Sequence, residues 1–352
     1  MHQKMPTALD LFCGCGGLTV GLKKAGFSVL GAVDIDHLSL ETYRANHPEV
    51  VTWETDIREL KVSEVKKTLG LRNGELDLLA GCPPCQGFSS IRTLNGALRI
   101  DDSRNELISD FFRFVKELRP KAVMMENVPG LAKDQRFEDF RNSMEKLGYK
   151  GAYRILDAAD YGVPQRRRRL IYMAGMGIPI PFAPPVRQKK TVRDAIGSLP
   201  ESGKSGDPLH DLPEHRTPKI MDLIKRIPKD GGSRTDLPEE YQLECHKRCN
   251  GFKDVYGRMA WDKPAPTITG GCFNPSKGRF LHPEKDRAVT MREAALLQGF
   301  PRRYKFPRVK NKAHIAEMIG NALPPPFIAA HAKSILEVLR KKDYGSSKID
   351  RV

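Results

Sequence analysis

The stretch at residues 81–89 constrains this chain most, because it ends an apolar run in a rigid turn that carries a thiol. The apolar run itself, residues 76–80, predicts a short buried strand. Pro83 and Pro84 fix the backbone just before Cys85, since each proline ring locks its own φ and restricts the residue before it. A thiol displayed in this way at a strand end is suited to act as a nucleophile.

The residues of this turn leave three interpretations open. A single cysteine is often a buried, inert side chain. Cys82 and Cys85 also form a C-x-x-C pair, the spacing of thiol–disulfide exchange and of half a zinc site. As a nucleophile, the thiol would need a nearby dipole or cation to become a thiolate near neutral pH. The rest of the chain has to decide among them.

The composition indicates a globular protein with a polyanionic partner. The chain has 352 residues, 39% of them hydrophobic, which is enough for a sizeable core and for two domains or one large domain with an insertion. Its formal net charge is +16, which suggests a polyanionic partner such as nucleic acid, although a solvated basic surface is the usual explanation of such an excess. Seven scattered cysteines are typical of a reducing compartment. We find neither a signal peptide nor an apolar run long enough for a membrane span, so we expect a cytoplasmic protein.

The first sixty residues predict a cofactor site of the α/β type. A strand at residues 8–12 leads into a glycine-rich turn and a helix, where backbone N–H groups and the helix N-terminus favour a negatively charged group such as a carboxylate. The next strand ends in Asp34, and a third strand end carries Asp56. Ligand-type residues at three successive strand ends favour a cofactor. The absence of G-x-G-x-x-G and of a P-loop lysine disfavours a dinucleotide or a nucleoside triphosphate.

Glu126 has a placement similar to that of Cys85. It follows the apolar run at residues 121–125, which comes after a predicted helix at 107–118. In a doubly wound sheet the carboxyl ends of the strands lie along one edge, so we expect the thiol and the carboxylate to face one cavity. The polar segment at residues 89–104 is predicted to be a functional loop beside them.

Four consecutive arginines precede the apolar strand predicted at residues 170–174. Such a run is usually a solvated surface. Because side chains alternate along a strand, Arg167 and Arg169 would share one face, and Arg166 and Arg168 the other. One pair is therefore able to point into the cavity.

The amino-acid composition of the chain changes near residue 179. Residues 179–288 are rich in proline, glycine and basic residues and predict a smaller, loop-rich domain. Residues 289–340 return to helical patterns, and the polar tail at 341–352 is predicted to be disordered. The spacing of the cysteines and histidine in the loop-rich part matches no common zinc pattern, so no metal is predicted. These residues are Cys245, His246, Cys249 and Cys272.

Taken together, these strings resemble the DNA (cytosine-5) methyltransferase family of the bacterial restriction-modification or orphan type, over nearly the whole chain. The strings in chain order are DLFCGCGG at 10–17, TDI at 55–57, PPCQGFS at 83–89, ENVPG at 126–130, QRRRR at 165–169, REAALLQGFP at 292–301 and GNALPP at 320–325.

The resemblance implies an α/β, Rossmann-like methyltransferase domain with an inserted target-recognition domain. Residues 1–178 would carry the cofactor and the chemistry, residues 179–288 would recognise the target, and residues 289–340 would return to the catalytic domain. It also implies S-adenosyl-L-methionine as cofactor, bound by residues from several motifs. These are Phe12, Gly14, Gly16, Gly17, Asp34, Ile35, Asp56, Ile57, Pro84 and Asn321.

The implied chemistry fits the residue types. Addition of the Cys85 thiolate to carbon 6 of cytosine makes carbon 5 nucleophilic. A Glu126 kept protonated by burial would donate at ring nitrogen 3, and Arg169, with Arg167 nearby, would stabilise charge at the carbonyl oxygen. The sequence does not identify the base that removes the carbon-5 proton, and water is one candidate.

Duplex DNA is the implied partner, and the target cytosine would have to flip out of the helix. Ser89 and Arg104 lie in the predicted lid, and Thr267–Ile268 resembles the dipeptide found near the family's recognition loops. We also expect a monomer in the cytoplasm, at the nucleoid, and an endonuclease that acts on the same site without forming a complex.

Three other activities compete with this one. They are cytosine-5 methylation of RNA, thiol–disulfide exchange by Cys82 and Cys85, and DNA binding without catalysis. The sequence also departs from the commonest family pattern at two positions. Cys15 stands in the glycine turn where an apolar residue is frequent, and Ile35 stands where an aromatic ring often stacks on adenine.

Overall fold

The structure, a computed structural model, describes residues 5–84, 107–244, 254–307 and 311–349. Contacts divide the chain into two compact units. The first unit comprises Met1–Asp157, Arg168–Pro185 and Pro325–Val352, and the second comprises Ala158–Arg167 and Val186–Pro324.

The first unit is built on a seven-stranded sheet with the order β3-β2-β1-β4-β5-β7-β6. Strands β1 to β5 run parallel to one another, whereas β7 runs antiparallel to both β5 and β6. The strands are β1 Thr7–Leu11, β2 Ser28–Asp34, β3 Val51–Glu54, β4 Leu78–Gly81, β5 Ala122–Asn127, β6 Tyr149–Asp157 and β7 Arg168–Met176.

Ten α-helices lie in the described parts of the chain. They are α1 Gly17–Ala25, α2 His37–Asn46, α3 Val62–Leu69, α4 Leu107–Leu118, α5 Gln135–Lys146, α6 Val192–Ile196, α7 Pro218–Arg226, α8 Met291–Gln298, α9 Lys312–Asn321 and α10 Pro325–Ile349. None of these described helices is both long and apolar enough to cross a bilayer.

The central strands are apolar throughout because both faces of the sheet are covered. Every residue of β4 and of β5 is buried, as is usual for parallel strands between helices. Aromatic rings of α4 and α5 form much of the core on one face. Phe140 packs with Phe111 and with Tyr172 of β7 at ring-centroid distances of 6.1 and 5.2 Å. This packing fixes the edge of the sheet at which β4 and β5 end.

The second unit depends on buried polar contacts as well as on a small core. Its described residues form helices α6 to α9 but no strand pairs other than isolated β-bridges. Arg258 is fully buried, and its guanidinium donates to the carbonyl oxygens of Ile224 and Ile227 at the end of α7, at 2.8 and 3.0 Å. It also pairs with Asp286 at 2.6 Å. One buried cation therefore satisfies two carbonyl oxygens at the C-terminal end of this helix.

The strands predicted at residues 8–12, 76–80, 121–125 and 170–174 and the helix predicted at 107–118 are confirmed, with strand ends shifted by a few residues, whereas α2 and α3 were not predicted. The sequence analysis missed β6, whose residues are mostly exposed and lack a clear apolar pattern. α10 continues to Ile349 and so overlaps the range 341–352, for which disorder stays a prediction.

The unit boundaries also differ from the predicted ranges. The domain boundary that was predicted near residue 179 lies after Pro185, and the short segment Ala158–Arg167 belongs to the second unit. The predicted return of residues 289–340 to the first unit begins only at Pro325, because α8 packs on α6 and α9 inside the second unit. The roles assigned to these ranges remain predictions.

Candidate active site

Strand register places Cys82 beside Glu126. Gly81 at the end of β4 is paired with Met125 of β5, so the next residue of each strand is a neighbour of the other. The Cys82 thiol donates to Oε2 of Glu126 across 2.9 Å. Gly81 is required here, since a Cβ atom at this position would lie 2.7 Å from the carbonyl oxygen of Leu11.

The second oxygen of Glu126 faces a cation. Nε of Arg169 lies 3.0 Å from Oε1, and the glutamate is only 2% exposed. The contact is an ion pair by distance, because among the described residues this oxygen takes no well-aligned hydrogen bond. A buried carboxylate is costly unless it is paired and hydrogen-bonded. The thiol that follows β4 and the guanidinium from β7 both contact the carboxylate, and these contacts reduce the free-energy cost of burying it.

Asn127 ties the cysteine turn to β5. Its Nδ2 donates to the carbonyl oxygen of Pro83 at 2.9 Å, while its Oδ1 accepts from the N–H of Val128. Pro84 is half-buried and is the last described residue of the turn. The predicted nucleophile and the two predicted lid residues lie outside the described residues. They are Cys85, Ser89 and Arg104.

The glycine turn after β1 is joined to the end of β2 through Asp34. One carboxylate oxygen accepts from the N–H of Gly14 at 2.7 Å, and the other from the N–H of Asp36 at 2.9 Å. Burial raises the pKa of Asp34, and these backbone donors oppose the shift. Each oxygen keeps a further lone pair that is able to accept from a ligand hydroxyl.

The backbone of this turn leaves room for a ligand. Phe12, Gly14 and Gly16 all have positive φ, at 62°, 50° and 95°. A Cβ atom added at Gly14 would meet no protein atom within 4 Å. Ile35, next to Asp34, exposes 67% of an apolar side chain. Open space, an apolar surface and a carboxylate together fit an adenosyl group, with its flat base and its ribose hydroxyls.

Not every predicted cofactor residue is equally available to such a ligand. The carboxylate of Asp56 is engaged by Arg58 at 2.5 Å, and this pairing lowers the pKa of Asp56. Ile57 is buried in the core of the first unit. Asn321 belongs to the second unit, where it lines a cleft of about 410 Å³. Gly17 opens α1 and is buried.

Arg167 contacts the predicted recognition dipeptide. It is 3% exposed, and its Nη1 donates to the carbonyl oxygen of Ile268 at 3.0 Å. Thr267 donates its hydroxyl to the carbonyl oxygen of Arg166 at 2.7 Å. Exposure alternates along the arginine run as expected, but the structure engages Arg167 and Arg169 with different groups.

Gln165 is a residue that the sequence analysis did not single out. It is fully buried, its Oε1 accepts from the N–H of Ile268 at 2.9 Å, and its Nε2 donates to the carbonyl oxygen of Leu297 at 3.0 Å. The only sequence signal was a polar residue at the start of the arginine string.

Asp10 was also missed as a buried acid. It is fully buried in β1 and accepts from the hydroxyl of Thr19 at 2.7 Å, while that hydroxyl also lies 2.8 Å from the hydroxyl of Tyr43. Burial raises its pKa to about 7. A single acid inside an otherwise apolar strand was the available signal.

The other described cysteines are poor candidates for a nucleophile. Burial raises the pKa of Cys15 and of Cys272 to about 12, and raises that of Cys13 as well. A thiol that stays protonated is unreactive. No group of three or more potential metal ligands occurs in the part of the chain that is described, and three residues of the considered zinc set lie outside it.

Comparisons with known proteins agree over almost the whole chain. A family model described as C-5 cytosine-specific DNA methylase matches residues 7–337. The Type II methylase M.HgiDII of Herpetosiphon aurantiacus is 39% identical over 348 residues, covering 94% of this chain and 95% of the relative. The Type II methyltransferase M1.HphI of Haemophilus parahaemolyticus is 34% identical over 340 residues, covering 94% and 87%. A crystal structure of an E. coli prophage protein assigned as a DNA modification methyltransferase superposes with a TM-score of 0.70 at 26% identity, covering 95% of this chain and 99% of that one.

Proposed function

The chain belongs to the C-5 cytosine-specific DNA methylase family and is a DNA (cytosine-5) methyltransferase, and from this we propose how its residues carry out the reaction. The observation that carries the proposal is the buried carboxylate of Glu126, held between the thiol of Cys82 and the guanidinium of Arg169. That carboxylate lies beside the turn that leads, three residues after Cys82, to Cys85.

The methyl donor in this proposal is S-adenosyl-L-methionine, which supplies an electrophilic methyl group on a sulfonium when it is bound. Asp34 would accept from the ribose hydroxyls, and the exposed Ile35 would cover one face of the adenine. The backbone at Gly14 leaves space next to Asp34, whose carboxylate accepts from the N–H of Gly14. Phe12, Gly17, Asp56, Ile57, Pro84 and Asn321 complete the proposed set.

Cys85 is the proposed nucleophile. Its thiolate would form a bond to carbon 6 of cytosine, and the electrons of the 5,6 double bond would move to carbon 5, which would take the methyl group as the bond from that group to the sulfonium sulfur breaks. Glu126, in its protonated form, would donate a proton at ring nitrogen 3 as negative charge develops there, and Arg169 would stabilise the charge on the carbonyl oxygen. Loss of the carbon-5 proton to a base, with return of the nitrogen-3 proton to Glu126, would then restore the 5,6 double bond and expel the thiolate.

Recognition of DNA is assigned to the second unit and to the lid. We propose that Thr267 and Ile268 order the recognition segment, and that Ser89 and Arg104 contact the DNA after the target base flips out. Arg167 is proposed to support this segment through the carbonyl of Ile268. This gives it a positioning role beside Arg169, not a second contact with the base.

We further propose that the enzyme acts as a monomer on duplex DNA in the cytoplasm, at the nucleoid. The named Type II relatives support a restriction-modification setting, with a separate endonuclease that acts on the same site. The family description specifies DNA, which disfavours RNA as the substrate and thiol–disulfide exchange as the activity.

Bisulfite sequencing of DNA from cells that express the protein tests this proposal. We expect 5-methylcytosine at one position of a short recurrent sequence, and none with Cys85→Ser, whose binding of DNA and cofactor should be largely retained. Normal methylation by Cys85→Ser would overturn the assignment of the nucleophile.

A further inference from the structure

The thiol of Cys82 has a fixed place next to Glu126. The N–H of Cys82 donates to the carbonyl oxygen of Leu11 in β1 at 3.3 Å. The next residue, Pro83, is held from the other side by the side chain of Asn127. The backbone that carries the thiol is therefore tied to both strands that flank β4. Its distance of 2.9 Å from Oε2 of Glu126 follows from strand register.

The two oxygens of the Glu126 carboxylate face different donors. Oε2 accepts from the thiol of Cys82, whereas Oε1 faces Nε of Arg169 at 3.0 Å. These donors come from β4 and β7, on opposite sides of β5. Rotation of the carboxylate about its last bond would disrupt both contacts. A group held in one orientation before the substrate arrives loses less freedom in the transition state.

The chemistry of the thiol suits a temporary partner. A thiol is a weak hydrogen-bond donor, while an ammonium or a guanidinium is a strong one. An oxygen that must turn to a ring nitrogen has to be released when the base enters. A weak donor at Oε2 orients the carboxylate and still yields to the base. A second strong cation there would keep that oxygen occupied when the base enters.

We propose that Cys82 is a positioning residue for methyl transfer, which orients Glu126 and yields one oxygen to the target cytosine. This inference rests on the proposed function of Glu126 as the proton donor. It assigns to the first cysteine of the C-x-x-C pair a role that requires neither a disulfide nor a metal. It also distinguishes Cys82 from Cys85, since Cys82 acts through another side chain.

The test compares Cys82→Ser, which keeps a donor, with Cys82→Ala, which removes it. The substrate is a duplex that contains the site mapped by bisulfite sequencing, with S-adenosyl-L-methionine. For C82A we expect kcat to fall about fivefold to tenfold, the value of one ordinary hydrogen bond, because the thiol is a weak donor. The KM values for DNA and cofactor should stay within about twofold of wild type, because ground-state binding is not changed. C82S should restore kcat to within about twofold to threefold of wild type.

A second readout follows the covalent step directly. With 5-fluorocytosine at the target position there is no carbon-5 proton to remove, so the adduct with the enzyme accumulates. C82A should slow its formation by the same factor as kcat. If C82A does not fold, Cys82→Val takes its place, because valine keeps the bulk of the thiol without its donor.

A double-mutant cycle with Glu126→Gln separates this inference from the function on which it rests. If Cys82 acts through Glu126, the effect of C82A on adduct formation should disappear in the E126Q background. Equal losses in both backgrounds, or wild-type kinetics for C82A, would overturn the positioning role while E126Q remains impaired. Wild-type activity of E126Q itself would overturn the proposed role of Glu126.

Discussion

The guanidinium of Arg169 lies 3.0 Å from Oε1 of Glu126 and brings a positive charge from β7 to the buried acid at the end of β5. In the proposed reaction the same arginine stabilises charge on the cytosine carbonyl. Arg169→Ala should therefore lower kcat by about a hundredfold or more, as the loss of one preorganised donor does in other enzymes. Single-turnover methyl transfer with saturating cofactor measures this loss.

Arg168→Ala is the matched control for Arg169→Ala. Arg168 is the exposed neighbour of Arg169 on β7, so its side chain points away from Glu126. Its removal should leave the single-turnover rate within about twofold of wild type. Equal losses of rate in both variants would show that general positive charge, and not the Arg169–Glu126 pair, is what matters.

Gly14 offers a test of the cofactor site. Its φ is +50°, and a Cβ atom there would meet no protein atom within 4 Å. Gly14→Ala should destabilise the fold by about 1 kcal/mol through backbone strain. If the open space holds the cofactor, its dissociation constant should also rise by about tenfold or more, since the added methyl group would occupy that space. Titration calorimetry with S-adenosyl-L-methionine measures the change.

Gly70 is the matched control for Gly14. It ends α3 with a φ of +64°, and a Cβ atom there would also meet no protein atom within 4 Å. Gly70→Ala should reproduce the strain without changing the affinity for the cofactor. A similar loss of affinity in both variants would mean that strain, and not occupied space, explains the effect of Gly14→Ala.

Gln165 should stabilise the second unit. Replacing it with alanine removes its bonds to the backbone of Ile268 and Leu297 and leaves a buried N–H group without this acceptor. We expect a loss of about 1–3 kcal/mol in the free energy of unfolding. Urea unfolding followed by circular dichroism measures it. Gln242→Ala, which removes one bond from a partly buried side chain, should cost less. Equal costs would contradict the structural role of Gln165.

Strand ends were the most predictable part of the site. Short apolar runs followed by Asp34, Cys82 or Glu126 indicate where a parallel sheet presents its functional groups, and register then brings residues from neighbouring strands together. The sequence did not show which of the two cysteines would contact Glu126. The thiol beside Glu126 belongs to the first cysteine of the pair, and nothing in a C-x-x-C string distinguishes the two.

The arginine run shows the limit of periodicity. Alternation predicted that Arg167 and Arg169 would share one face and that one of the two pairs could point inward, and Arg167 and Arg169 are the less exposed pair. It also suggested a common target, whereas Arg167 donates to the carbonyl of Ile268, about a hundred residues away in the chain. Contacts between distant segments depend on how loops fold, and loop-rich sequence carries little periodic signal.

Asp10 should make the stability of the protein depend on pH. Its pKa is raised from 3.8 to about 7 by burial, with the charge of Asp34 adding to the shift and the Thr19 hydroxyl opposing it. The folded protein therefore binds this proton more tightly than the unfolded chain does. The resulting stabilisation is complete below about pH 4 and is lost as the pH rises to about 7.

The variant Asp10→Asn tests this pH dependence, because its side chain is neutral at every pH and its stability does not fall over this range. The stability of the variant relative to wild type should thus increase between pH 4 and pH 7, by at most about 4 kcal/mol, and level off above that. Urea unfolding without cofactor at several pH values measures the difference, and Asp139→Asn on the exposed face of α5 controls for the substitution itself. A constant difference between Asp10→Asn and wild type across this range would mean that Asp10 is solvated or has a partner that keeps it charged.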